Sequence, residues 1–282
     1  MTLGLLVDGS QGAVERLGEA ADLGVGTVAL TFWEETSGVD WEALAATVAD
    51  RGLSVSALSV YGNPLAGDAK AERVARGWEV LIRMAGRFGA PVVSGFAGRV
   101  PGEPVPQSLE PWKRWYAPLA DLAAAQGVTL AFETCRMGGT WKTGGWNIAY
   151  TPRAWELMEA TLPGAWALEW EPGHAVLALA DPLAQIDGWM HRVVHLHGKD
   201  AALHRPALAR DGAYGGGETG RYCLPGEGDS DWAGIIAEFE ASGFVGSLDL
   251  EVPSPGPGQG TMSTEDLRKS LGYLRPMVSR SH

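Results

Sequence analysis

Cysteine is nearly absent from this chain. Cys135 and Cys223 are the two in 282 residues, and they form no CxxC pair. That excludes a disulfide-stapled scaffold and a thiolate metal site. Basic residues are also scarce, with 22 Lys and Arg against 34 Asp and Glu for a net charge of -12. Such a balance argues against nucleic acid and anionic membrane surfaces as partners, because both need clustered cations. No apolar run approaches the roughly 20 residues that cross a bilayer. The N-terminus, Met-Thr-Leu-Gly-Leu-Leu-Val-Asp, lacks the basic region and cleavage site of a secretory signal and reads directly as a strand, so a cytoplasmic location is expected. No GxGxxG follows that strand, which argues against an open dinucleotide-binding sheet.

What remains is an ordinary globular composition, 45% hydrophobic and 20% charged, with an unusual twelve tryptophans. Those rings are expected to fill the core and pocket walls. Alternating and β-branched runs predict strands at 2–7, 26–33, 53–61, 91–96, 128–132, 166–170, 193–197 and 245–250. Helical spacing of apolar residues falls between them, at 13–23, from the Asp40 cap to Arg51, and at 68–88, 109–126, 152–162, 182–190, 232–241 and 264–277. A long loop separates the seventh strand from the helix at 232. Its Gly215-Gly216-Gly217 triplet is too short and wrongly placed to cradle phosphate. Eight strands alternating with eight helices, with no change of composition along the chain, predict one (β/α)8 barrel domain over residues 1–282.

Barrel chemistry collects where the strands end. The fifth strand finishes at Glu133, the sixth in Glu169-Trp170-Glu171, the seventh in His195-Leu196-His197 and the eighth in Asp249-Leu250-Glu251. Strand alternation sends Glu133 to the interior with Thr129 and Ala131, while Leu130 and Phe132 face the helices. Three carboxylates gathered at one mouth raise each other's pKa unless a cation neutralises them. Three carboxylate oxygens and one imidazole nitrogen suit Mn²⁺, Mg²⁺ or Co²⁺ better than a thiolate-seeking metal. One divalent ion, Mn²⁺ first among these and Zn²⁺ also admissible, is the expected cofactor, with Glu133, Glu171, His197 and Glu251 as ligands. His195, Glu169 and Asp249 face inward a layer deeper and are expected to support the ligands.

In order and spacing, several segments resemble the xylose isomerase-like barrel superfamily, in its sugar phosphate isomerase/epimerase branch. They are Ser59 to Pro64, Phe132-Glu133, Glu171-Pro172-Gly173-His174, His195 to Asp200, Pro225 to Asp229 with Trp232, and Gly246 to Glu251. The resemblance implies a divalent metal on Glu133, Glu171, His197 and Glu251. The sixth-strand acid is usually Asp; here it is Glu171, one methylene longer. The resemblance further implies that Glu133 and Glu251 move protons on opposite faces of the substrate. A metal that chelates adjacent carbonyl and hydroxyl oxygens acidifies the C–H between them and stabilises the enediolate. His174 and Arg221 match substrate-binding positions, and Tyr61 lies within a matching motif. Lys199 is read either as a substrate contact or as the partner of a neighbouring acid. Trp141, Lys142, Trp146 and Asn147 form a Gly-rich loop that either covers the site or is a mobile surface loop. Cys135 has no evident activating partner and reads as an inert thiol.

The implied activity is metal-dependent isomerisation or epimerisation of a sugar or keto-sugar. A small sugar is the expected partner, and self-association stays open. A lyase or dehydratase of keto-glycosides shares the first deprotonation, and a non-catalytic binding subunit is the alternative outside enzymes. A DNA-repair endonuclease of this fold would need more histidine ligands and a basic face.

Overall fold

The computed structural model describes residues 1–10, 12–216, 218–252 and 263–278. Eight parallel strands close a barrel in the order β1 (Thr2–Asp8), β10 (Ser247–Leu250), β7 (Val193–Gly198), β6 (Ala167–Trp170), β5 (Thr129–Glu133), β4 (Val92–Gly95), β3 (Ser54–Tyr61) and β2 (Thr27–Trp33). The numbering is that of the chain and counts two strands outside the barrel. Helices α1 (Ala13–Asp22), α2 (Trp41–Asp50), α3 (Ala69–Phe88), α4 (Leu109–Gln126) and α5 (Pro152–Thr161) follow the first five strands. Asp40, Asp68 and Thr151 cap α2, α3 and α5 by accepting a backbone N–H three residues on. This is the single-domain (β/α)8 barrel expected from the alternation of elements.

The later units are more broken than the sequence suggested. Two short helices, α6 (Pro172–Leu177) and α7 (Pro182–Ile186), link β6 to β7. The helix expected to reach residue 190 therefore stops at Ile186, and a 3-10 turn, Met190–Arg192, leads into β7. The stretch expected as a long loop after β7 holds an antiparallel pair, β8 (Asp200–Leu203) and β9 (Gly220–Cys223), with α8 (Arg205–Asp211) between them. Of the glycine triplet there, Gly217 lies outside the described residues.

Asp200 organises this insertion. Its buried carboxylate accepts from Ser230 Oγ at 2.5 Å, Trp232 Nε1 at 2.9 Å and the Ala201 N–H at 2.7 Å. A Cβ at residue 228 would stand 2.3 Å from that carboxylate, so the turn needs glycine there. Helices α9 (Trp232–Ala241) and α10 (Thr264–Val278) complete the outer ring.

The apolar core lies between strands and helices, where Trp78, Trp112, Tyr116 and Phe132 are fully buried. Phe132 faces the helices as alternation requires, with its ring centroid 4.7 Å from Tyr116 and 5.9 Å from Trp112. Truncating one of these aromatics to Ala would cost about 3–5 kcal/mol. Inside the barrel the lower layer is small, made of Ala29, Ala57, Val92, Ala131 and Ala167. The layer above it is polar and carries the site.

Candidate active site

The polar layer is built around His195. Its Nδ1 lies 2.6 Å from Glu169 Oε2 and its Nε2 2.7 Å from Asp249 Oδ2, with all three side chains buried. An imidazole flanked by two carboxylates donates from both nitrogens and is therefore a cation. Burial alone would lower the His195 pKa, but the hydrogen bonds and charges of Asp249 and Glu169 raise it above 6.5. Tyr61 Oη and Ser94 Oγ donate to Glu169 at 2.8 and 2.6 Å, while Thr27 Oγ1 and Ser56 Oγ donate to Asp249. The barrel narrows to admit this network. At Gly4 on β1 a Cβ would stand 1.8 Å from Asp249 Oδ1.

One layer nearer the mouth, donor atoms of Glu133, Glu171, His197 and Glu251 all lie within 4.8 Å of one another. They come from the ends of four neighbouring strands, β5, β6, β7 and β10. Glu133 and Glu251 are the outer pair and flank the other two. The Nδ1 of His197 faces Glu251 Oε2 at 3.2 Å, Glu133 Oε1 at 3.7 Å and Glu171 Oε2 at 4.0 Å. Its Nε2 faces Glu169 Oε2 at 3.3 Å. Both nitrogens of His197, Oε2 of Glu171 and Oε2 of Glu251 are buried without a well-aligned hydrogen bond among the described residues. Donors that converge yet leave one another unsatisfied fit a shared cation.

Lys199 enters the same cluster. Its Nζ is 2.6 Å from Glu251 Oε1, 2.9 Å from Glu171 Oε1 and 3.8 Å from Glu133 Oε1. Of the two sequence readings for Lys199, the structure shows the ion pair with neighbouring acids. Three carboxylates against one ammonium leave an excess of two negative charges, the charge of one divalent ion. Protons on His174 and His197 can supply the same balance. Burial opposes those protons, but Glu171 and Glu169 respectively raise the two imidazoles well above 6.5. Glu133 is held below the usual carboxylate range: burial pushes it up, and His174, His197 and Lys199 overcome that. Glu251 is likewise low, with burial outweighed by Lys199 and His197. Glu171 is raised, because burial outweighs His174 and Lys199.

His174, on α6, contacts Glu171 Oε1 through Nε2, and its Nδ1 lies 2.7 Å from Tyr222 Oη. Arg221, expected to bind substrate, is instead exposed on β9, and strand alternation turns its neighbour Tyr222 towards His174. A strand pairing in that stretch was not legible, so the inward residue was missed by one position. Cys135, read from the sequence as an inert thiol without a partner, has its thiol in a cluster with Glu133 and His174.

The loop after β5 is anchored by three buried side chains. Asn147 Nδ2 donates to the carbonyls of Glu133 and Cys135, both at 2.8 Å. Asn63 Nδ2 donates to the Arg99 and Gly145 carbonyls at 2.6 Å each. The Arg99 guanidinium, fully buried, holds the carbonyls of Glu103, Thr140 and Trp141. Trp146 from this loop joins Trp33, Tyr61 and Phe96 in an aromatic wall at the barrel mouth, with centroids 5.2 to 6.3 Å apart. Trp141 stands outside the ligand cluster, half-buried, with the Arg153 guanidinium 4.5 Å from its ring centroid.

Comparison with known proteins agrees with this architecture. The family model described as xylose isomerase-like TIM barrel matches residues 17–277. Inosose dehydratase of Geobacillus thermodenitrificans is 28% identical over 136 residues, 47% of this chain and 43% of that protein. A 3-dehydroshikimate dehydratase of Pseudomonas aeruginosa is 29% identical over 143 residues, 49% of this chain and 20% of that protein. These matches span less than half the length of either curated relative. Among solved structures, a xylose isomerase domain protein from Planctomyces limnophilus superposes with a TM-score of 0.75 at 18% identity, covering 99% of this chain and 98% of that one. An L-ribulose 3-epimerase gives 0.74 at 19% identity, covering 99% and 95%. At these identities the likeness is one of fold.

Proposed function

The chain belongs to the xylose isomerase-like TIM barrel family, and from that premise we propose that it is a divalent-metal-dependent isomerase or epimerase of a sugar or keto-sugar, working through an enediolate. The observation that carries this reading is the convergence of Glu133, Glu171, His197 and Glu251 within 4.8 Å at the mouth of the barrel. A divalent ion with ligand distances of about 2.1 Å spans opposed donors about 4.2 Å apart, so small side-chain shifts bring these four into its shell. Such an ion, Mn²⁺ by preference, would polarise a carbonyl and an adjacent hydroxyl and so acidify the C–H between them.

The protein's own groups do the rest. Glu133 and Glu251 come from β5 and β10, the outer two of the four strands, and in this reading one takes the proton and the other returns one to the opposite face. Lys199 keeps Glu251 ionised, ready to accept. Glu171 holds His174 beside it as an imidazolium, suited to donate to a developing oxyanion. Trp33 and Trp146 of the aromatic wall, with the buried Phe96 packed against Trp33, offer apolar ring faces to a sugar's C–H edges.

A second reading, dehydration, is favoured by that same His174 and by the two dehydratases among the relatives. An imidazolium beside the deprotonating carboxylates can protonate a β-hydroxyl as it leaves. Incubation with a panel of keto-sugars and cyclic polyol ketones in D₂O with Mn²⁺ separates the two. Carbon-bound deuterium with no loss of mass supports the isomerase, and loss of water supports the dehydratase. If neither occurs with any ketone, and Mn²⁺ does not bind in stoichiometric amount, the enzymatic reading fails.

A further inference from the structure

Beside the ligand cluster lies a cavity of about 540 Å³ at the C-terminal face of the barrel. It is framed by the loop after β5, by Tyr150 ahead of α5, and by α6 and α7. His174 belongs to both places: its ring contacts Glu171 in the cluster and also lines the cavity. The cavity thus begins where the proposed metal ligands end. Its volume falls in the range of about 300–1,000 Å³ typical of small-ligand sites. That exceeds what a reacting carbonyl and its neighbouring hydroxyl require.

The lining has a definite chemistry. Trp141 presents a ring face already backed by Arg153, and Ala178 and Ala184 leave room opposite small side chains. Thr134, adjacent to Glu133, is 2% exposed and its Oγ1 has no hydrogen-bond partner among the described residues. It lines this cavity, and a buried hydroxyl left unpaired is a standing cost that a bound polar group relieves. Arg136 contributes one guanidinium and Asp181 an opposing carboxylate. That mixture does not favour a phosphate, which calls for several convergent donors.

Resting on the sugar chemistry proposed above, we propose that this cavity is a second subsite for a neutral ring joined to the reacting sugar by a glycosidic bond. The substrate is then a glycoside carrying a ring ketone, rather than a free monosaccharide or a sugar phosphate. With the anomeric carbon blocked, enolisation runs between ring carbons and the ring stays closed. The glycosidic partner lies against Trp141 and within reach of the Thr134 hydroxyl.

The test uses the full chain with Mn²⁺ and three probes: a keto-disaccharide, the methyl glycoside of the same keto-sugar, and its phosphorylated counterpart. Solvent deuterium exchange or product formation gives kcat/KM for each. The keto-disaccharide is expected to exceed the methyl glycoside by about tenfold or more, through KM. Ala184→Trp, at a solvent-exposed position on α7, should fill the cavity and erase that preference. Thr134→Val should weaken the disaccharide several-fold without lowering the melting temperature, because it removes an unpaired buried hydroxyl. Equal use of the first two probes, preference for the phosphate, or a preference that survives Ala184→Trp would each overturn the proposal. Should no probe react, the unoxidised disaccharide still decides the subsite by calorimetry. Binding to the wild type that Ala184→Trp abolishes sustains it, and equal or absent binding sinks it. Failure of turnover alone counts against the proposed reaction, not against the subsite.

Discussion

The Nε2 of His197 stands 3.3 Å from Oε2 of Glu169, and that placement leaves Nδ1 turned towards Glu133, Glu171 and Glu251. A carboxylate behind a ligating imidazole fixes ring orientation and raises its basicity, and loss of such a partner typically weakens metal binding about 10–100-fold. Glu169→Gln keeps the volume and removes the charge. Isothermal titration with Mn²⁺ should therefore show a dissociation constant raised by one to two orders of magnitude with the stoichiometry unchanged. An unaltered affinity would remove Glu169 from the metal's support.

Metal binding should appear in stability and in its pH dependence. A ligand at about 100 times its dissociation constant adds about 2.7 kcal/mol to the folded state, several degrees in melting temperature for a chain of this size. Mn²⁺ should produce that rise in the wild type and not in Glu133→Gln or Glu251→Gln. His197 must bind as the neutral ring, and its folded pKa lies well above 6.5 because the surrounding carboxylates overcome burial. Protons therefore compete more strongly as pH falls. The apparent affinity should drop about tenfold per pH unit below that folded pKa. An affinity flat from pH 8 to 6 would contradict ligation by His197.

The barrel and the convergence of four strand-end side chains at its mouth are legible because period-two alternation and strand endings are local signals. Glu133, Glu171, His197 and Glu251 each end a strand, and closing the barrel in chain order alone makes them neighbours. The sequence could not reveal what depends on contacts made at long range. Asp249 meets Ser56, 193 residues away, and Glu169 meets Tyr61, 108 residues away. The β8–β9 pair was missed because its strands are four residues each, separated by a helix and by glycine-rich chain. Nothing periodic marks so short a ribbon. With it went the placement of Arg221 on the exposed side of β9. The loop after β5 looked as mobile as it did covering, since its glycines were visible and the anchoring of Asn147, Asn63 and Arg99 was not.

His195 bridges two buried carboxylates, and removing it would take from Asp249 and Glu169 the cation they share. Replacement of one member of a buried ion network typically costs about 3–5 kcal/mol. His195→Gln should therefore lower the denaturant midpoint markedly without changing the slope of the transition. The pH dependence has a definite sign. The folded pKa of His195 is raised above 6.5 by Asp249 and Glu169 against burial, so its contribution is full below the unfolded value near 6.5. It is lost as pH rises through the folded pKa. The gap between wild type and variant should be largest at pH 6 and shrink in alkali. A gap that widens with pH would mean that His195 is held neutral.

Cys223 offers a probe of the insertion that covers this side of the barrel. Its thiol is fully buried at the end of β9 and pushed up to about 12, first by burial and then by the charge of Asp200. The thiolate is the species that alkylates, so at pH 8 the folded protein should leave Cys223 unmodified by iodoacetamide over hours. Full labelling is expected in denaturant, where the pKa returns to about 8.5. Because the folded state holds the proton more tightly, this group's share of stability is intact below about pH 8.5 and falls as pH climbs towards 12. Asp200→Asn leaves a side chain of similar shape but with one acceptor fewer for Ser230 and Trp232. It should therefore loosen the ribbon and speed labelling of Cys223 at pH 8, as read by peptide mass spectrometry. Rapid labelling of the wild type under native conditions would instead mean that the β8–β9 ribbon opens readily.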